Sequence, residues 1–491
     1  MSQALLVRRP ADGLTKRGSG RIIWALKTAA WLSYLVVAIG QMAMVVPIAT
    51  TYPQDLFQDY VSARQLLAGQ PLYPDLAPFY NEYLARVDGS AGTWVISVNA
   101  HPPASILVAL PVAGLPYPAA SWIWEITGVL AYVTMWWLIL DGVGLRPTSR
   151  RAWRIVAVGA LGYPALLTSL SSVSMSPYLS VLLVAVWYLY RRGRRGLAAT
   201  LLAIAISLKL YPALLLGVFL LRRDWRTAFR ASAVGAGIFM LTLLLFGISA
   251  YQHYLSVLSR LGVWIISRDN WSVVGLFGRL LADGGSGSGI ADDRALATLV
   301  TALMCGAVVS LPSLVALRSG RGPGAATSLE AFDALYSCGL LAMMLVSPLT
   351  WTHYSGPAIL AWCVLARREF AEAGTAGLPR RLLIGIASGA LVLPLLVRIG
   401  LTYGSSLGAQ FDLSLIANLL VWPLFTYALF AMLLLGVREL HITASAFHRS
   451  MPAPAAAASA SETSSQRLGP GPGGNYGAEQ GWRRSARVMR P

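Results

Sequence analysis

Apolar runs close to the length of a bilayer-spanning helix recur along this chain, and short clusters of arginine stand between them. A helix needs about 20 apolar residues to cross a hydrocarbon core, whereas membrane strands alternate polar and apolar side chains. Lipid tolerates no other exposed backbone, so the pattern selects helices. Composition agrees: 56% of the 491 residues are hydrophobic and 12% are charged, more apolar surface than a soluble fold of this size can bury. The sequence reads as an all-α polytopic membrane protein, with membrane lipids as its surroundings.

A formal net charge of +18 would suit nucleic acid, but its placement argues against that partner. The bases sit in short links and tails, as membrane orientation requires. The cytoplasmic markers are the N-terminus, Arg146/Arg150/Arg151/Arg154, Arg191/Arg192/Arg194/Arg195, Arg222/Arg223/Arg226, Arg318/Arg321, Arg367/Arg368/Arg380/Arg381 and the C-terminal tail. The opposite links are Thr51 to Ala100, Ser171 to Pro177, Gly247 to Asp293, Ser347 to Tyr354 and Thr402 to Asp412. The apolar run Ile22 to Val46 is too long for a signal h-region and reads as an uncleaved first crossing. Between Pro102 and Leu140 the charges allow one net crossing, so the short piece Ala104 to Leu115 reads as a re-entrant half-helix. The run Gly196 to Leu221 is broken at Lys209-Leu-Tyr-Pro212 into two short helices. The count is about twelve crossings with both ends cytoplasmic. The expected organisation is a cytoplasmic N-terminus (1–21), one transmembrane domain (22–449) with outer loops over 51–100 and 250–293, and a disordered cytoplasmic tail (450–491).

The first outer loop carries the candidate chemistry. Asp55 and Gln58 have the spacing of a helix N-cap and its N3 partner, which gives Asp55 a structural explanation. Asp59 falls one turn further on, where no cap needs it, and reads either as a reactive carboxylate or as a solvated surface group. Tyr60 and Arg64 are also one turn apart, on an amphipathic helix that turns Leu56, Phe57, Leu66 and Leu67 to the bilayer or core. At the same side lie His101 before the half-helix, Asn270 at the end of the second outer loop, and His353 in the link before a later helix. Lys209, inside a membrane segment, is functional or snorkels to an interface. Asn270 is alternatively a helix cap, and the histidines are alternatively hydrogen-bonded loop residues. Cys305, Cys338 and Cys363 lie in apolar runs without a CxxC pair and read as inert thiols, with no metal site. No Walker loop, HExxH or GxSxG elbow is present in the sequence. A carboxylate among cations and aromatic rings suits group transfer from an anionic lipid-linked donor to a hydroxyl.

In order along the chain stand D-Y-x3-R-x2-L-x-G-x2-L-Y from Asp59 to Tyr73, H-P-P from His101, K-L-Y-P from Lys209 with R-R-D-W-R following, N-W-S-x2-G-x3-R from Asn270 to Arg279, and S-P-L-T-W-T-H from Ser347 to His353. This series resembles glycosyltransferase family 87, multispanning enzymes of the GT-C superfamily. The resemblance implies a GT-C-type catalytic bundle over 22–449 and a catalytic aspartate in the first extracytoplasmic loop. It also implies a metal-independent inverting transfer from a polyprenyl-phosphate sugar, most often mannose, with no cofactor. Carried across by position, Asp59 is the candidate general base, and Lys209, Arg279 and His353 are candidate phosphate or sugar contacts beside Tyr60, Arg64, His101 and Asn270. Where many members have Gly-Gln-x-Asn, this chain reads Ser171 to Pro177, which leaves the sugar open.

The expectation is therefore a mannosyltransferase of the inner (plasma) membrane with its active site extracytoplasmic and a glycolipid or glycan acceptor. The alternatives are a lipid or oligosaccharide transporter or flippase, an arabinofuranosyltransferase of the same family, and a scaffold whose outer loop binds a partner.

Overall fold

The computed structural model describes residues 39–87, 98–144, 164–259, 270–282, 289–319, 328–371 and 423–450, with isolated positions between them. Among these residues the regular structure is helical, with short 3-10 turns, no strand and one isolated bridge between Ala282 and Asp292. Among the described residues five helices are long and apolar enough to cross a membrane: Tyr117–Gly142, Trp225–Leu258, Arg294–Arg318, Leu329–Val346 and Leu424–Thr443. Trp225–Leu258 leaves Phe229 74% and Leu244 79% exposed, apolar surface that water would penalise and lipid accepts. The chain is an all-helical polytopic membrane protein. Segment 1–21, most of the first expected crossing, Arg146/Arg150/Arg151/Arg154, Arg321, Arg380/Arg381, the link Thr402 to Asp412 and the tail beyond 450 lie outside the described residues.

At one end of the bundle, arginines from two of the expected clusters meet the buried Asp333 and the half-buried Asp224. Asp333, on Leu329–Val346, accepts a hydrogen bond from Trp187 Nε1 at 2.9 Å, pairs with Arg191, and lies 3.8 Å from Arg367. Asp224 caps Trp225–Leu258 by accepting from the Thr227 N–H at 3.2 Å, and also meets Arg195 at 3.4 Å. These pairings neutralise carboxylates that would otherwise be costly at membrane depth.

From that end, helix Arg195–Leu208 rises about 21 Å at 1.5 Å per residue and stops at the expected break. Lys209 is extended (φ −148°, ψ 138°), and the 3-10 turn Tyr211–Leu215 and helix Leu216–Leu221 carry the chain back to Arg222. Helix Trp225–Leu258 bends at Gly247, whose φ of 76° is a conformation open to a residue without Cβ. The bend brings Tyr254 toward the break.

The first-loop helix Asp55–Leu67 lies on a second apolar core. Leu56, Phe57, Tyr60 and Val61 pack there with Leu72, Leu76, Tyr80, Ile106 and Tyr117. Phe57 sits between the Tyr80 and Tyr117 rings, with centroids 4.5 and 5.0 Å away. Leu56 and Phe57 thus face the core as the pattern suggested, while Leu67 is exposed. Helix Pro103–Ala113 is distinct from Tyr117–Gly142 and, at about 16 Å, is roughly half as long as a hydrocarbon core is thick.

Candidate active site

A cavity of about 500 Å³ opens where the first-loop helix, the Lys209 break, the end of the bent helix and the turn 347–354 meet. A carboxylate, an ammonium and two imidazoles line it: Asp55, Lys209, His101 and His353. Gln58, Tyr211, Tyr254, Trp351 and Tyr354 add an amide and four aromatic rings to the wall.

Asp55 is the first residue of its helix, not its cap. Gln54 holds the N-cap position without a side-chain bond, while the Asp55 backbone N–H donates to the Ser172 carbonyl at 2.9 Å. The expected capping box is therefore absent, and Gln58 uses its Oε1 to accept from the Ala100 N–H at 3.0 Å. This frees the Asp55 carboxylate to point into the cavity, where Oδ2 lies 3.5 Å from His353 Nε2. Burial pushes the Asp55 carboxyl above the usual carboxylate range, opposed by the charges of Lys209 and His101 and reinforced by Asp59.

Lys209 Nζ donates to the Tyr354 hydroxyl at 2.6 Å and sits 3.9 Å from that ring's centroid. Tyr354 in turn stacks on Tyr211 across 5.7 Å. The ammonium is thereby held by a phenol and a π face, with acidic company across the cavity in Asp55. Snorkelling does not describe this lysine, which is 6% exposed.

Asp59, the carboxylate singled out by the sequence, is 1% exposed and is not among the cavity-lining residues. Its Oδ1 accepts from Asn99 Nδ2 at 3.1 Å, and its Oδ2 lies 2.7 Å from His101 Nδ1. It is therefore neither a surface group nor a group open to the cavity. Asp55 and Asp59 share one helix face, but the segment 99–101 lies over the second and leaves the first open. His101 itself does reach the cavity wall, its carbonyl held by the Tyr73 hydroxyl at 2.7 Å.

Four expected contacts stand behind the wall. Tyr60 donates to the Leu115 carbonyl at 2.7 Å and receives Arg64 Nη1 at 2.8 Å, fixing the first-loop helix to the turn after Pro103–Ala113. Asn270 clamps the turn that carries His353: Nδ2 donates to the Pro348 carbonyl at 2.8 Å and Oδ1 accepts from the Thr350 N–H at 2.9 Å. Ser272, not Asn270, caps the following helix by accepting from the Gly275 N–H at 3.0 Å. Arg279 Nη1 donates to the carbonyls of Ser267 and Asn270 at 2.6 and 2.8 Å. The aromatic half of the cavity, Tyr211, Tyr254 and Tyr354, was not singled out by the sequence reading. Tyr211 stands within the K-L-Y-P motif and Tyr354 directly follows the T-H pair, whereas Tyr254 carried no motif signal.

The fold and this cavity define a multispanning membrane protein that gathers a carboxylate, cations and aromatic rings at one end of its bundle. The sequence model of Glycosyltransferase family 87 matches residues 99–348, about half of the chain, and the protein belongs to that family: it is a membrane glycosyltransferase. Two polyprenol-phosphate-mannose-dependent alpha-(1-2)-phosphatidylinositol mannoside mannosyltransferases are similar to it. The one from Mycobacterium tuberculosis is 27% identical over 371 residues, covering 71% of this chain and 78% of its own. That from Mycolicibacterium smegmatis is 26% identical over 382 residues, covering 72% and 80%. No solved structure matches the chain.

Proposed function

We propose that the protein transfers mannose, with inversion, from polyprenyl-phosphate-mannose to a hydroxyl of a glycolipid, and that Asp55 is the general base. The observation that carries the reading is the meeting of Asp55 with His101, Lys209 and His353 in one cavity. Asp59 was the sequence's choice, but its oxygens are already engaged and covered. Asp55 takes the proton of the acceptor hydroxyl as that oxygen attacks the anomeric carbon. The bond from this carbon to the phosphate oxygen breaks with its electron pair, and the cationic side chains stabilise the departing phosphate. Tyr211, Tyr254 and Tyr354 offer ring faces to the sugar or the first isoprene units.

The names of the two relatives supply the donor and suggest a phosphatidylinositol mannoside as acceptor. The cavity lies at the end of the bundle away from the arginine clusters, which by the positive-inside rule is the extracytoplasmic face of the plasma membrane. The GT-C-type bundle of about twelve crossings, with Pro103–Ala113 as a re-entrant element, remains part of this proposal.

Purified protein in proteoliposomes, given radiolabelled polyprenyl-phosphate-mannose and phosphatidylinositol mannosides, should form a mannosylated lipid. Asp55→Asn should abolish the product while leaving the protein folded. Label that crosses the vesicle without being transferred would overturn the reading in favour of a transporter.

A further inference from the structure

Behind the cavity wall lies a buried acid that no proposed step yet uses. Asp59 is sealed, yet it is built into a network on three sides. Asn99 Nδ2 reaches Asp59 Oδ1, the Ser62 hydroxyl at 3.0 Å and the Gln58 carbonyl at 3.2 Å. Asn99 Oδ1 accepts from the His101 N–H at 2.9 Å, which curls segment 99–101 around the carboxylate. Ser105 Oγ donates to Asp59 Oδ1 at 3.3 Å, and the third contact is His101 Nδ1 on Oδ2 at 2.7 Å.

A carboxylate surrounded by donors and cut off from water keeps its charge only if the donors stay aimed at it. The 2.7 Å contact sets His101 Nδ1 against Asp59, which leaves Nε2 as the free ring nitrogen of a residue that lines the cavity. A carboxylate on Nδ1 fixes the ring plane, and the ring then donates from Nε2 in its doubly protonated form.

We infer that Asp59 is a positioning residue that acts through His101, and that the Asp59–His101 pair presents His101 Nε2 to the donor phosphate as a fixed hydrogen-bonding group. The inference rests on the proposed transfer reaction and assigns the pair to the leaving-group side, opposite in role to Asp55. As the bond between the anomeric carbon and the phosphate oxygen breaks, its electron pair remains on the phosphate. The charge that develops there meets His101 Nε2–H when the ring is protonated, and the ring keeps its proton. The acceptor proton goes to Asp55, so the pair is neither consumed nor reset in a turnover.

The test is a cycle of Asp59→Asn, His101→Ala and the double variant, with initial rates over a range of polyprenyl-phosphate-mannose concentrations. Amounts of folded protein are taken from size-exclusion profiles. Each single variant should lose about 10–100-fold in kcat with a much smaller change in KM, as expected for a group felt mainly in the transition state. The double variant should be no slower than His101→Ala, because residues that act as one unit are not additive. His101→Gln should recover part of what His101→Ala loses.

Independent, multiplying losses would show that Asp59 acts without His101 and overturn the inference. So would unchanged kcat in folded Asp59→Asn. Should that variant fold poorly, Asn99→Ala removes one donor from the same carboxylate. Its smaller loss of kcat should vanish in the His101→Ala background, and persistence there would again overturn the pairing. Full activity of Asp55→Asn would instead overturn the base assignment and leave the cycle interpretable by itself.

Discussion

Asp55 Oδ2 lies 3.5 Å from His353 Nε2, joining the first residue of the first-loop helix to the turn that follows Leu329–Val346. Neither residue has a local reason to be there. The helix start is set by the Asp55 N–H on Ser172, and the turn is set by Asn270. Two clamps from different parts of the chain thus bring an acid and an imidazole to one cavity.

With Asp55 as base, replacing it by Asn preserves shape and removes the proton acceptor. The expected loss in kcat is about 10²–10⁴-fold, the usual contribution of a positioned general base. Steady-state rates with saturating donor and acceptor measure it.

The pH profile should carry the mark of burial. Asp55 is raised above the ordinary carboxylate range, and only its ionised form accepts a proton. Activity should therefore fall, as pH is lowered, at a higher pH than an ordinary aspartate would give. Lys209 opposes that rise, so Lys209→Met should move the acidic limb to still higher pH. A limb that stays in place in Lys209→Met would separate the two groups.

Lys209→Met should also weaken use of the donor. A charge-assisted hydrogen bond is worth about 1.5–3 kcal/mol, or roughly 10–100-fold in kcat/KM for polyprenyl-phosphate-mannose. Kinetics with the acceptor held saturating isolate this effect from acceptor binding.

Asn270→Ala should destabilise rather than disable. It strands the Thr350 N–H, at about 1–3 kcal/mol when left unpaired, and leaves the Pro348 carbonyl with the 3.5 Å contact from the Ser272 hydroxyl. Gly275→Ala should do similar damage, since a Cβ there would come within 2.6 Å of Asn270. Thermal unfolding in detergent should show both variants melting below the native protein.

At the opposite end, Asp333→Ala removes the acid shared by Arg191, Arg367 and Trp187. Breaking a buried pair from one side costs about 3–5 kcal/mol because the other charge stays behind. The melting temperature should fall without a change in KM for the donor in whatever protein remains folded.

The sequence by itself determined the helical membrane fold, the break at Lys209, the convergence of arginines at one end and the polar motifs that meet at the other. Period, length and charge placement are local properties of a chain in lipid, so they survive without coordinates. Which aspartate faces the cavity was decided only by tertiary structure. Asp55 and Asp59 stand one turn apart on the same helix face, and no local rule tells them apart. The segment 99–101 folds over Asp59 through Asn99 and His101, while Ser172 holds Asp55 at the open edge. The same holds for Asn270 and Arg279, whose motif reads as substrate contact until long-range hydrogen bonds turn them into clamps. Burial depends on contacts between distant parts of the chain, and a linear pattern carries only half of each contact.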